Sequence, residues 1–199
     1  MGREEKLKGD FNTFWNNSFS THLEDYYSKL SLSAFLQLKK AISCINNIIT
    51  LKTTLSFIDS LQRRGVVSDE DASAIKEKVQ GTSANTNGYD VEYSDNGHFI
   101  IAEVKCNIPV GGDGFGAAQK RSILKDLDGL ADASKKTKSR IVDSNQYLKF
   151  FVLLETDGVR DAMRKIMNGY KQYPLQEFLE DSVRLQTNVI YIIYISARN

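Results

Sequence analysis

The sequence predicts an α/β domain in which a central sheet is covered by helices and preceded by a helical N-terminal segment. Three observations carry this expectation. Residues 88–110, GYDVEYSDNGHFIIAEVKCNIPV, read as two strands around a turn. Two continuous apolar runs, LKFFVLL (148–154) and NVIYIIYI (188–195), read as buried strands. The segments before and between them place apolar residues at helical spacing.

In chain order, residues 11–64 read as helical, because Leu32, Phe35, Leu36, Leu38, Ile42, Ile45, Ile49 and Leu55 recur at that period. Gly65 fits a helix stop. Ser68 fits an N-cap, since Asp69, Glu70 and Asp71 then occupy the positive first turn. Residues 81–88, GTSANTNG, form a polar loop ahead of the hairpin. After it come a glycine-rich loop, GGDGFG, and a helix, AAQKRSILKDLDGL. Residues 131–140, ADASKKTKSR, read as a mobile basic loop. A strand, a helix (DGVRDAMRKIMNGY), a further helix (PLQEFLEDSVRL) and a final strand complete the order. With no repeat and prolines only at 109 and 174, residues 1–199 read as one domain, with 1–80 its helical part and 81–199 its core.

Composition narrows the function classes. A chain of 199 residues with net charge +1 has no global field for an anionic partner, so any such partner needs a local basic patch. Two cysteines and two histidines, none in C-x-x-C spacing, exclude a conventional zinc site and a disulfide framework. The charged start, MGREEKLKGD, is no secretory signal. Lys39, Lys40, Asn46, Asn47 and Lys52 break the longest apolar region, so no membrane span is expected and a soluble, cytoplasmic protein is.

The hairpin holds the chemistry. Asn96-Gly97 suits a two-residue turn, because both positions tolerate positive φ. Tyr93 then faces Ile100, Val91 faces Ala102, and Asp90 faces Glu103. Val91, Tyr93, Ile100, Ala102 and Val104 share one apolar side; Asp90, Glu92, Glu103 and Lys105 share the other. A three-residue loop would shift the pairing by one and put Asp90 on the wrong side. Two carboxylates facing across a strand pair repel by a few tenths to about 1 kcal/mol. A divalent cation turns that repulsion into chelation, and Mg²⁺ suits one or two carboxylates completed by water and phosphate oxygens. Lys105 could then neutralise a phosphate or orient a water.

Asp90, followed thirteen positions on by Glu103-Val104-Lys105, resembles the PD-(D/E)XK nuclease superfamily, the restriction-endonuclease-like fold. Residues 88–154 fit that family's order of hairpin, helix and strand, and the N-terminal helices fit it loosely. The resemblance implies a mixed sheet flanked by helices and Mg²⁺-dependent hydrolysis of DNA phosphodiesters, with Mn²⁺ able to substitute. Under it Asp90, Glu103 and the Val104 carbonyl hold the metal, and Lys105 positions the water. Gln119, Lys120 and Arg121 resemble positions near the scissile phosphate. Tyr89 stands where the family motif has proline, and a further acid from an earlier helix would be Glu24 or Glu77. A site-specific type II restriction endonuclease, acting on double-stranded DNA as a homodimer, is the leading version. A repair nuclease, a junction resolvase, or a binding module without cleavage are the alternatives.

Each signal also has a plain structural reading. E-x-K alone decides nothing, since Glu4-Glu5-Lys6 matches it too. Asp90, Glu103 and Lys105 could line a solvated hairpin face. Lys120, Arg121, Lys125, Lys135, Lys136, Lys138 and Arg140 could track a phosphate backbone or simply solubilise a helix and loop. GGDGFG is no P-loop, lacking Gly-Lys-Ser/Thr, and either passes close to DNA or simply turns. His98 reads as a turn residue and Cys106 as a buried thiol. The aromatic cluster of Phe11, Phe14, Trp15, Phe19, Tyr26 and Tyr27 reads as helix packing or, in the minority view, a protein surface.

Overall fold

A computed structural model describes residues 2–19, 25–82, 88–136, 141, 143–179 and 184–197. Two compact units divide the chain, residues 1–46 and 47–199. The first holds helix α1 (Arg3–Phe19) and the start of helix α2 (Leu32–Arg63). Its rings pack on one another: Trp15 lies 4.8 Å from Phe19 and 5.3 Å from Tyr26, and Phe11 lies 5.4 Å from Phe35. The helical reading of 11–64 is interrupted here by a turn after Asp25. The Asn12 side chain accepts the backbone N–H of Tyr26 and Tyr27, and Ser31 accepts Ala34 N–H to start α2. By length and composition alone, α2 is long and apolar enough to cross a membrane.

The second unit is α/β, with a five-stranded mixed sheet flanked by helices. It runs from the end of α2 through α3 (Asp69–Gly81), β1 (Val91–Asp95), β2 (His98–Lys105), α4 (Ala117–Ala131), β3 (Leu148–Glu155), α5 (Val159–Gly169), β4 (Leu175–Glu177) and β5 (Ile190–Ser196). The strand order is β1-β2-β3-β5-β4, antiparallel only between β1 and β2. Both faces are covered. On one, Phe57 and Leu61 of α2 and Ile75 of α3 pack against Val91, Ile100, Ala102, Phe150 and Ile193. On the other, Ile123 and Leu127 of α4 and Met163 of α5 pack against Ile101, Phe151 and Ile192. Such two-sided burial explains why β3 and β5 carry continuous apolar runs, Phe150–Leu154 and Ile190–Ile195, rather than alternating.

Local signals act as their chemistry dictates. Gly65 ends α2 with φ 67°, and Ser68 caps α3 by accepting Asp71 N–H at 3.0 Å. The helix expected over 174–185 is not what forms in its described part. Leu175–Glu177 is instead an edge strand parallel to β5, continued by Phe178 N–H donating to Ile192 O at 2.8 Å. Phe178 buries its ring against Phe150 and Tyr191, and this sheet-edge pairing outweighs local helical preference. The basic segment after α4 also departs from a mobile loop. Residues Ala133–Lys135 make a 3-10 turn and Lys136 folds inward, while 137–140 lie outside the described residues.

The glycine loop is a turn packed on the start of α5. Gly111 and Gly112 have φ of 72° and 93°, and Val110 bridges to Gly114. Gly158, at φ 75°, caps α5, and a Cβ there would overlap the Gly112 carbonyl. Gly158→Ala should therefore lower stability by more than about 2 kcal/mol in urea denaturation. Gly114→Ala, with open space around it, should stay within about 0.5 kcal/mol of the parent.

Candidate active site

The site starts from the turn. Asn96 and Gly97 have φ of 48° and 79°, the left-handed pair of a two-residue hairpin loop. Val91 accordingly pairs with Ala102 and Tyr93 with Ile100, the register that puts Asp90 and Glu103 on one side. Asp71 of α3 holds this turn in place. Its buried carboxylate accepts from Tyr93 OH at 2.7 Å, Asn96 Nδ2 at 2.9 Å and Ser68 Oγ at 2.7 Å. His98 Nδ1 lies 2.8 Å from the same group. The bonds from Asn96, Tyr93 and Ser68 hold the Asp71 carboxyl well below the usual range.

Past Val91 the β1–β2 ladder ends, and the Asp90 side chain takes over. Its Oδ2 accepts Val104 N–H at 2.7 Å. Glu103 and Lys105 point from β2 towards α4, onto a face that is buried rather than solvated. Glu103 is only 3% exposed. Two residues not anticipated from the sequence complete the cluster. Asp126 of α4 places Oδ2 2.6 Å from Lys105 Nζ, an ionic contact outside hydrogen-bond geometry, so that this buried oxygen lacks a directional partner. Lys136 hydrogen-bonds Glu103 Oε1 and sits 3.7 Å from Asp126 Oδ1. Tyr89 backs the cluster, donating its hydroxyl to Gly129 O at 2.6 Å with its ring 5.3 Å from the Lys136 ammonium.

Asp126 had a readable signal. In AAQKRSILKDLDGL it falls three residues after Ile123 and beside Leu127, on the apolar stripe of the helix, where an acid is out of place. Lys136 had none, because it looks like any lysine in a basic segment.

The electrostatics follow from burial. Desolvation, then the negative charges of Asp126 and Asp90, push the Glu103 carboxyl up to about 8 despite Lys136. Asp90 is exposed as a residue, yet protein atoms crowd its carboxylate. Desolvation there raises its carboxyl against the pull of the Val104 bond. Burial lowers the Lys105 ammonium, but Asp126, Glu103 and Asp90 outweigh it and the net shift is upward.

Among the described residues no group of three or more His, Cys, Asp or Glu side chains is arranged for a metal ion. Two carboxylates nevertheless suffice for Mg²⁺ when water and substrate complete the shell. The surplus of negative charge around Glu103, with Asp126 Oδ2 facing only the Lys105 ammonium, is what a cation would relieve.

Gln119 spends its amide on the backbone, accepting Gly116 N–H and donating to Ile108 O, each at 2.9 Å. Lys120 lies 5.1 Å over the Tyr170 ring, and Arg121 is exposed on α4. Glu77 is exposed on α3, which packs on the opposite sheet face; Glu24 lies outside the described residues. Cys106 is half-buried, 3.5 Å from Thr53 Oγ1.

The fold and site together define an α/β protein with a charged cluster under a helix at the end of a hairpin. No family model, curated protein or solved structure matches the chain.

Glu103 makes stability depend on pH. Its folded-state value lies above the ordinary 4.5, so its contribution is fully present below about pH 4.5 and is lost as pH rises through about 8. Glu103→Gln should gain on the parent by about 3 kcal/mol between pH 5 and pH 8 in urea denaturation. A difference that stays constant over that range would mean an unperturbed carboxyl.

Proposed function

We propose that the chain is a Mg²⁺-dependent endodeoxyribonuclease with a restriction-endonuclease-like core, most simply a site-specific restriction enzyme cutting double-stranded DNA. The observation that carries this reading is that Asp90, Glu103 and Lys105 meet at one end of the hairpin, with Glu103 buried, Lys105 half-buried and Asp90 at the exposed edge. Nothing in the packing of an ordinary sheet calls for these groups there, and clustered, perturbed charges favour a functional site over a structural one.

In this reading Asp90 and Glu103 hold the metal, with the Val104 carbonyl as a further oxygen. When bound, Mg²⁺ supplies Lewis acidity to the phosphoryl oxygens and acidifies a water. Lys105, kept protonated by its acidic neighbours, orients the attacking water and stabilises the charge that builds on the phosphate. Water oxygen adds to phosphorus as one of its protons passes to solvent, the P–O bond to the leaving strand breaks, and the released oxygen takes a proton from solvent. One site per chain cuts one strand, so cleavage of a duplex calls for a second copy. The exposed Arg121 and Lys125 of α4 offer charge to the phosphate backbone.

A second reading has one observation in its favour. Lys105 faces Asp126 as an ion pair, as it would in a DNA-binding module that no longer cleaves.

Supercoiled plasmid incubated with the protein and Mg²⁺ separates the two. Discrete linear fragments, abolished by EDTA, are expected, and Lys105→Ala should slow cleavage by about 10²–10³-fold. Retarded but uncut plasmid would favour the binding module instead.

A further inference from the structure

We infer that the site takes a single divalent cation and that Lys136 supplies, from within the fold, the cationic charge a second ion would bring. This inference rests on the nuclease reading above and concerns only how its charge is balanced.

Lys136 is built into the cluster rather than drawn to it from solvent. Its stem crosses α4 at Gly129, where an added Cβ would lie 3.3 Å from the Lys136 Cδ. Tyr89, anchored to the Gly129 carbonyl, flanks the ammonium, which ends on Glu103 with Asp126 beyond. The Lys136 side chain is 15% exposed, whereas the neighbouring Lys135 is 53% exposed. A buried ammonium is retained only where opposite charge compensates its lost hydration.

The oxygens leave room for one ion. Val104 N–H occupies Asp90 Oδ2, Lys136 occupies Glu103 Oε1, and Lys105 faces Asp126 Oδ2. Among the described residues, the bonds to these two acids use Asp90 Oδ2 and Glu103 Oε1, leaving one oxygen from each, Asp90 Oδ1 and Glu103 Oε2. The charge count agrees. With Glu103 ionised, as a bound cation would hold it, Asp90, Glu103 and Asp126 against Lys105 and Lys136 leave one net negative charge. One dication and one phosphodiester bring the assembly to neutrality. A second dication would leave two buried positive charges uncompensated, which a low-dielectric site disfavours.

The test is Mn²⁺ titration of the intact protein, followed by electron paramagnetic resonance of the free ion. The parent should bind one ion per chain, Lys136→Met and Lys136→Gln two, and the charge-preserving Lys136→Arg one. The rate of plasmid cleavage should likewise change from first to second order in Mn²⁺ on Lys136→Met. A parent that binds two ions would overturn the inference while leaving the nuclease reading intact. So would folded Met and Gln variants that still bind one. A parent that binds none would overturn both.

Discussion

The register of one hairpin governs everything else at the site, and Asp71 is what holds that register. Its carboxylate gathers the side chains of Ser68, Tyr93, Asn96 and His98, which belong to the α3 cap, both strands and the turn itself. A slip of one residue in β2 would exchange its two faces. Ile101 would then trade places with Ala102, and Glu103 would face the apolar layer of α2 and α3. The turn dihedrals and the Asp71 bonds act against that slip from a point several residues away from the acids they position.

Covering the hairpin changes the meaning of its charges. On a solvated face, Glu103 and Lys105 would make a surface ion pair of little consequence. Under α4 they are withdrawn from water, and each needs a counter-charge in a fixed position. Asp126 and Lys136 supply these, crosswise: the helix acid meets the strand lysine, and the lysine after the helix meets the strand acid. The cluster thereby ties α4 and the segment following it to β2 through charge as well as through the apolar contacts of Ile123 and Leu127.

Much of this was legible in the sequence where the signal is local. The turn at Asn96-Gly97, the cap at Ser68, the stop at Gly65 and the apolar runs of β3 and β5 each follow from the preferences of a few adjacent residues. The alternation of 91–104 between faces followed too, because the two-residue period leaves little freedom. What was not legible depends on distant partners. Residues 175–178 become an edge strand only because β5 offers unpaired backbone groups. Lys136 turns inward only because Glu103, thirty-three residues earlier, lies buried without a counter-charge. Gln119, read as a phosphate contact, closes the glycine loop through bonds that its neighbours in sequence do not announce.

The bond between Asp90 and the Val104 amide has a further consequence. One oxygen of that side chain does a backbone's work, ending the strand pairing where β1 has run out. Any replacement at this position thus disturbs two things together, the closure of a sheet and the charge of a pocket. Asparagine keeps the acceptor and deletes the charge, whereas alanine deletes both. Only the contrast between those two substitutions separates architecture from chemistry at residue 90.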